Sequence, residues 1–166
     1  MVEKQEFSLF PMKLLGTEPL YVAANTDARP YVFDAVKGLE AEGKTVVITD
    51  SYLFTPNNDA TYSDFVRDVL LTMKAKKIIW AAYRNAEDPA VRSAVAAALQ
   101  AQGCTFEAKT AEIHDRYWFC LESNKAIAMN SINSIGKRSS SITFVDEIDK
   151  KDLKADLIAQ GVISND

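Results

Sequence analysis

The sequence is poor in the residues that usually betray chemistry. It has one histidine and two cysteines in 166 residues. Cys104 and Cys120 lie far apart, without the CxxC spacing of a zinc or redox site, so buried thiols are the default. No apolar run approaches the roughly 18 residues that span a bilayer. The first residues, Met1 to Glu6, are charged where a signal peptide would be apolar, so the expected location is cytoplasmic and away from membranes. There is no excess of positive charge either: 19 Lys and Arg face 23 Asp and Glu, a net charge of −4. A polyanion would therefore have to be met by a local patch. Hydrophobic residues at 48% and charged residues at 25% describe a globular chain able to bury a core.

No repeat or Pro/Gly/Ser-rich linker divides the chain, so residues 1–166 are expected to form a single domain. Its middle alternates between helical and strand periods. A helix is expected over 28–42, where Val32, Phe33, Val36 and Leu39 share a face and Gly43 suits the stop. Thr45 to Thr49 reads as a buried β-branched strand. A helix over 62–74, a strand over 77–83 and an alanine-rich helix from Asp88-Pro89 to Gly103 follow. Cys104 to Glu107 is a short strand. This alternation predicts an α/β fold with right-handed crossovers and a mixed, largely parallel sheet flanked by helices. After residue 110 the rhythm changes. Residues 113–121 and 125–129 read as a hairpin around Glu122-Ser123-Asn124, 141–145 as a strand, and 146–159 as a closing helix with Ile148, Leu153, Leu157 and Ile158 inward. Phe7 to Leu15 and Leu20 to Ala24 are expected as edge strands, limited to edges by Pro11 and Pro19.

The candidate site lies in this second part. If 113–121 is a strand, His114, Arg116 and Trp118 share one of its faces. Ser131 and Asn133 share a face beyond the hairpin, and Gly136-Lys137-Arg138 follows at once. These side chains can all donate hydrogen bonds to an anion, and only histidine among them can be nucleophile or proton carrier near neutral pH. Each of these residues also has a structural alternative. Arg116 can be the partner of an acid such as Asp115 or Asp146, Ser131 and Asn133 can be turn formers, and Lys137-Arg138 can sit in a solvated loop. Trp80, Tyr117, Trp118 and Phe119 read as packing. Ser51 and Tyr52 follow Asp50 at the carboxyl end of a strand, where open α/β sheets place their ligands.

The order of these residues resembles one half of the phospholipase D superfamily, whose signature is His-x-Lys, then an acidic residue, then Gly-Ser-x-Asn. Here His114-Asp115-Arg116 stands at the first position and Ser131-Ile132-Asn133 at the last, slightly further along than is commonest. Arg116 replaces the lysine, exchanging a point donor for a planar fork. The family's acidic position falls on Leu121, with Glu122 one residue later, and Met129-Asn130 stands where a small residue would precede the serine.

The resemblance implies a metal-independent phosphodiesterase, most simply a nuclease, with no cofactor. In it His114 is nucleophile or general acid, and Arg116 and Asn133 hold phosphate oxygens. Ser131 supports them, Glu122 supplies the displaced acid, and Lys137, Arg138, Ser51 and Tyr52 contact substrate. Such chemistry uses two histidines, one forming a phosphohistidine and the other protonating the leaving oxygen. This chain has one, so a complete site implies a homodimer in which the same patch meets itself. The alternative is a non-catalytic module of the same fold that binds a phosphate-bearing ligand, a nucleic acid or a partner protein in a larger assembly.

Overall fold

A computed structural model describes residues 19–56, 60–83, 87–130, 132 and 134–165. The expected strand at Phe7 to Leu15, with Pro11, lies outside the described residues, as do Ser131 and Asn133. The elements are β1 (Leu20–Val22), α1 (Arg29–Lys37), β2 (Thr45–Ile48), α2 (Ala60–Thr72), β3 (Lys77–Ala82), α3 (Pro89–Ala101), β4 (Thr105–Thr110), β5 (Tyr117–Cys120), β6 (Lys125–Met129), β7 (Ser140–Phe144) and α4 (Glu147–Ala159).

The strands form one sheet in the order β1-β7-β6-β5-β2-β3-β4. The α/β expectation holds, but the largely parallel sheet does not. Only β2, β3 and β4 run parallel, joined through the helices α2 and α3. The β5–β6 turn and the β6–β7 link are too brief for crossovers, so those pairings are antiparallel, as are the β2–β5 seam and the β1–β7 pair. All the strands that point one way therefore end, and the opposed strands β5 and β7 begin, along a single carboxyl edge.

Alternation along the strands assigns two faces. Val46, Ile48, Ile78, Trp80, Trp118, Ile127 and Ile142 pack with Val32 and Val36 of α1, Val66 and Leu70 of α2, and Val95 and Leu99 of α3. Val47, Ile79, Ala81, Phe119 and Ala126 pack on the other face against Leu153 and Leu157 of α4. Trp80, Trp118 and Phe119 are buried, while Tyr117 is half-buried.

Local signals explain most boundaries. Asp88 caps α3, its Oδ1 accepting from the N–H of Ala90 at 2.9 Å, and Pro89 occupies the first turn. Asp146 caps α4 through the N–H of Asp149 at 2.9 Å. The helix expected over 28–42 stops at Gly38, because the chain turns so that Leu39 is buried under it and Glu40 takes a positive φ of 51°. Ile148 is not inward: it is 73% exposed, because α4 turns Lys150, Leu153 and Leu157 to the sheet. The buried Lys150 ammonium is met by the Asn124 carbonyl at 2.8 Å and by Glu147. No helix of the described residues is long and apolar enough to cross a membrane.

Candidate functional site

The carboxyl edge is organised by Asp50, the residue that follows the buried run of β2. Its side chain is fully buried. Oδ1 accepts the N–H of Tyr52 at 2.9 Å, a short Asx turn that starts the 51–54 bend. The Asp50 carbonyl accepts Trp80 Nε1–H at 2.8 Å and the Leu53 N–H at 3.2 Å. Tyr62 of α2 donates its hydroxyl to the Leu53 carbonyl at 3.0 Å, fixing the bend from the far side. Oδ2 has no hydrogen-bond partner among the described residues. Burial pushes the Asp50 carboxyl above the usual range, against the pull of the Tyr52 N–H, the Arg116 charge and the Ile132 N–H. Burial and the Asp50 charge likewise push the Tyr62 phenol up.

Arg116 meets this aspartate from the antiparallel neighbour. Its Nε lies 3.5 Å from Asp50 Oδ1, and its guanidinium carbon stands 4.9 Å from the centre of the Tyr52 ring. The ion pair and the ring hold the guanidinium from two sides. The terminal nitrogens of Arg116 have no hydrogen-bond acceptor among the described residues. The partner of Arg116 is thus Asp50, and neither Asp115 nor Asp146.

The strand expected over 113–121 begins only at Tyr117, and the reason is Thr49. Its N–H donates to the Tyr117 carbonyl at 2.9 Å, its Oγ1 accepts the Tyr117 N–H at 2.8 Å, and that hydroxyl donates to the Asp115 carbonyl at 2.7 Å. A side chain thereby replaces the next ladder bonds to β2, and His114 and Asp115 leave the sheet in a bend at Asp115, while the Arg116 carbonyl still accepts the Met129 N–H at 3.3 Å. The alternation that would put His114 and Arg116 on one face does not apply to them. They share a cleft instead. An open cavity of about 420 Å³ is lined by His114, Asp115, Arg116, Tyr117, Asn130 and Ser141, with Ala128 and Thr143 also bordering it. Ala128 lies two residues beyond Ala126, so the floor is sheet that α4 does not cover. His114 is exposed and makes no hydrogen bond among the described residues.

Other expected site residues lie apart. Lys137 and Arg138 are exposed on the loop before β7, and Lys137 borders a second cleft of about 490 Å³ with Arg29, Tyr62, Phe65, Ile132 and Gly136. Arg29 covers the Phe65 ring at 5.6 Å there. Glu122 is at the opposite end of β5 from Arg116 and takes no part in the cluster. It accepts the Thr45 N–H at 2.8 Å and its hydroxyl at 3.1 Å, with Lys76 at 3.6 Å. Burial pushes the Glu122 carboxyl up, but these hydrogen bonds and the lysine bring it below the usual range. The length of β5 separates the expected acid from the expected histidine, so the displacement of the acidic residue is spatial as well as sequential.

Ser51 joins the cluster: its Oγ accepts the Tyr83 N–H at 3.2 Å, tying the end of β2 to the end of β3. Asp50 was read with Ser51 and Tyr52 at a ligand-bearing strand end but given no role of its own, and Tyr83 was not among the residues expected to act. The signal for Asp50 was an acid directly after a run of buried residues, Val46-Val47-Ile48-Thr49, where a charge needs a partner. Among the described residues no three His, Cys, Asp or Glu side chains are grouped to hold a metal ion.

No family model matches the chain, and no curated protein does. Among solved structures, a similar one is TrmBL2, described as an archaeal chromatin protein with a novel mode of DNA binding. The identity is 10% and the TM-score 0.45, over 87% of this chain. This chain spans about half of that one, 52% of its length.

Proposed function

We propose that this chain is a phospholipase D-like module whose carboxyl-edge cleft binds a phosphate-bearing ligand, with Arg116 as the main anion contact and His114 beside it. One observation carries the reading. Arg116 pairs with Asp50, Nε to Oδ1 at 3.5 Å, and its guanidinium carbon stands 4.9 Å from the Tyr52 ring centre, while its terminal N–H groups have no acceptor among the described residues. A guanidinium held in that way presents a preformed fork to a phosphate. Binding stands ahead of turnover because the chain has one histidine, and Glu122 is bound to Thr45 at the far end of the strand.

The test is fluorescence anisotropy with labelled single- and double-stranded DNA and RNA, alongside soluble phosphodiesters, at several salt concentrations. Arg116→Ala should weaken binding about tenfold or more, and salt should weaken it further. Equal binding by wild type and Arg116→Ala overturns the reading.

A second reading is favoured by the exposure of His114 on an open cleft, where a second copy can approach. In a homodimeric phosphodiesterase, His114 of one copy attacks phosphorus, forming an N–P bond. His114 of the other protonates the oxygen whose P–O bond breaks, and water then cleaves the N–P bond. Cleavage in EDTA that is lost on His114→Ala supports this reading. A strict monomer by light scattering, or equal cleavage by the variant, removes it.

A further inference from the structure

The second cleft, of about 490 Å³, takes no part in the phosphate-binding reading. Three stretches of chain wall it: residues 25–29 up to the start of α1, the first turns of α2, and residues 132–137. The first and last of these are clipped together where the Thr26 N–H donates to the Gly136 carbonyl at 3.2 Å. Gly136 permits this approach, having no Cβ to meet the Thr26 carbonyl oxygen. Tyr62, Ile132 and Ile135 on the lining are buried members of the main core. Tyr62 is anchored further by its hydroxyl, which donates to the Leu53 carbonyl at 3.0 Å. The cleft is therefore preformed, and its volume falls within the ~300–1,000 Å³ of small-molecule sites.

Its local charge departs from the net charge of −4. The lining carries two cations, Arg29 and Lys137, against one carboxylate, Asp27. Asp27 Oδ1 already accepts the Arg29 N–H at 3.2 Å. The Arg29 guanidinium has no ion-pair partner among the described residues, and stands instead 5.6 Å from the centre of the Phe65 ring. Phe65 is half-buried and braced edge-on by Phe33, with ring centres 5.8 Å apart. A cation held at an aromatic ring on a partly apolar wall matches a ligand of two parts, an anionic group and a flat apolar body. An inorganic anion would use only the first part of the wall, and a neutral apolar molecule only the second. We propose that this cleft binds a small aromatic anion, with Arg29 as its charge contact and the wall of Phe65, Ile132 and Ile135 against its ring system.

The experiment uses two dyes that share one ring system. 8-Anilinonaphthalene-1-sulfonate carries the charge, and N-phenyl-1-naphthylamine is the same body without it. In a fluorescence titration the wild-type chain should bind the sulfonate saturably, and about tenfold more tightly than the neutral dye. Arg29→Gln should remove that factor for the sulfonate and leave the neutral dye unchanged. Thr61→Trp, at an exposed position on the lining, should fill the cleft and weaken both dyes. A dye seated in the native cleft favours the folded state, so the sulfonate should raise the melting temperature of the wild type and not of Thr61→Trp. 1-Naphthoate should displace the sulfonate at a lower concentration than inorganic phosphate does. Circular dichroism confirms that each variant folds.

If the two dyes bind alike, or Arg29→Gln leaves the sulfonate unaffected, the charge contact is overturned and the proposal with it. If Thr61→Trp binds both dyes as the wild type does, the dyes lie elsewhere and the proposal falls. Loss of the sulfonate on Arg116→Ala but not on Arg29→Gln puts the dye in the first cleft, with the same result. Phosphate that displaces the dye as well as 1-naphthoate does shows that the ring system is not recognised, which also overturns it.

Discussion

Arg116 Nε and Asp50 Oδ1, 3.5 Å apart, join the two halves of the sheet at the seam where parallel pairing gives way to antiparallel. The pair is unequal, because the carboxylate is fully buried and the guanidinium about a third exposed. Removing the arginine therefore leaves a buried acid without its charge partner. Arg116→Ala should lower stability at neutral pH by about 1–3 kcal/mol, and Arg116→Lys by less. The loss should shrink in acid, where Asp50 is protonated in both proteins. Urea unfolding at neutral and acid pH measures both, and a penalty that is the same at each pH contradicts the pairing.

The Asp50 carboxyl itself makes a prediction of defined sign. Burial raises its proton affinity in the folded state above the ordinary carboxylate value. Folding is then favoured by this group while both states are protonated, and that contribution is lost as pH rises from the ordinary range through the folded value. Asp50→Asn cannot ionise. The stability of Asp50→Asn relative to wild type should therefore rise with pH across that window, as read from melting curves. A difference that falls with pH would show that ionised Asp50 is favoured by the fold.

Gly136 is set by a close approach. Its φ is +82°, and a Cβ there would stand 2.3 Å from the Thr26 carbonyl oxygen. The Gly136 carbonyl in turn accepts the Thr26 N–H at 3.2 Å, which docks the 134–138 loop on the chain before α1. Gly161 has a similar φ of +68° with nothing within 4 Å of its Cβ position. Gly161→Ala should cost about 1 kcal/mol for its backbone alone, and Gly136→Ala clearly more. Calorimetry distinguishes them at about 2–4 °C per kcal/mol for a chain of this size. Equal shifts would mean that the loop does not press on Thr26.

The orientation of α4 gives a matched pair of substitutions. Leu157 is fully buried against the sheet, and Ile148 is solvent-facing. Leu157→Ala should cost about 2–5 kcal/mol, and Ile148→Ser less than about 0.5 kcal/mol. Chemical denaturation of the two variants settles the register of the helix, and the reverse order of losses would rotate it.

The central α/β part was legible because its signals are local. Buried β-branched runs mark β2 and β3, Asp88-Pro89 opens α3, and a positive φ at Gly103 follows it. After β4 the β5–β6 hairpin was legible from its turn, but the antiparallel pairing of β5 with β2 and of β7 with β1 was not, since it joins segments far apart in sequence. The end of β5 was hidden for a different reason: one hydroxyl, Thr49 Oγ1, takes over the bonds that would have extended it. Periodicity has no means of registering a bond made by a residue 68 positions away. Of the site, Arg116, Ser51, Tyr52 and His114 were legible as residue types. The burial of Asp50, the distance of Glu122 and the place of Tyr83 come from pairing across the sheet.

The strand order also bears on how the molecule opens. β2 is hydrogen-bonded on one flank to β3 and on the other to β5, so it alone joins the helix-linked strands to the hairpin strands. Separating it dissolves both sub-assemblies at once, whereas the three-residue β1 can peel from the margin without disturbing them. Amide protons of Val46 to Ile48 should consequently exchange with solvent only through global unfolding, and those of Leu20 to Val22 through small fluctuations. The slowest protons would then time the rupture of the same junction that carries the Asp50–Arg116 pair.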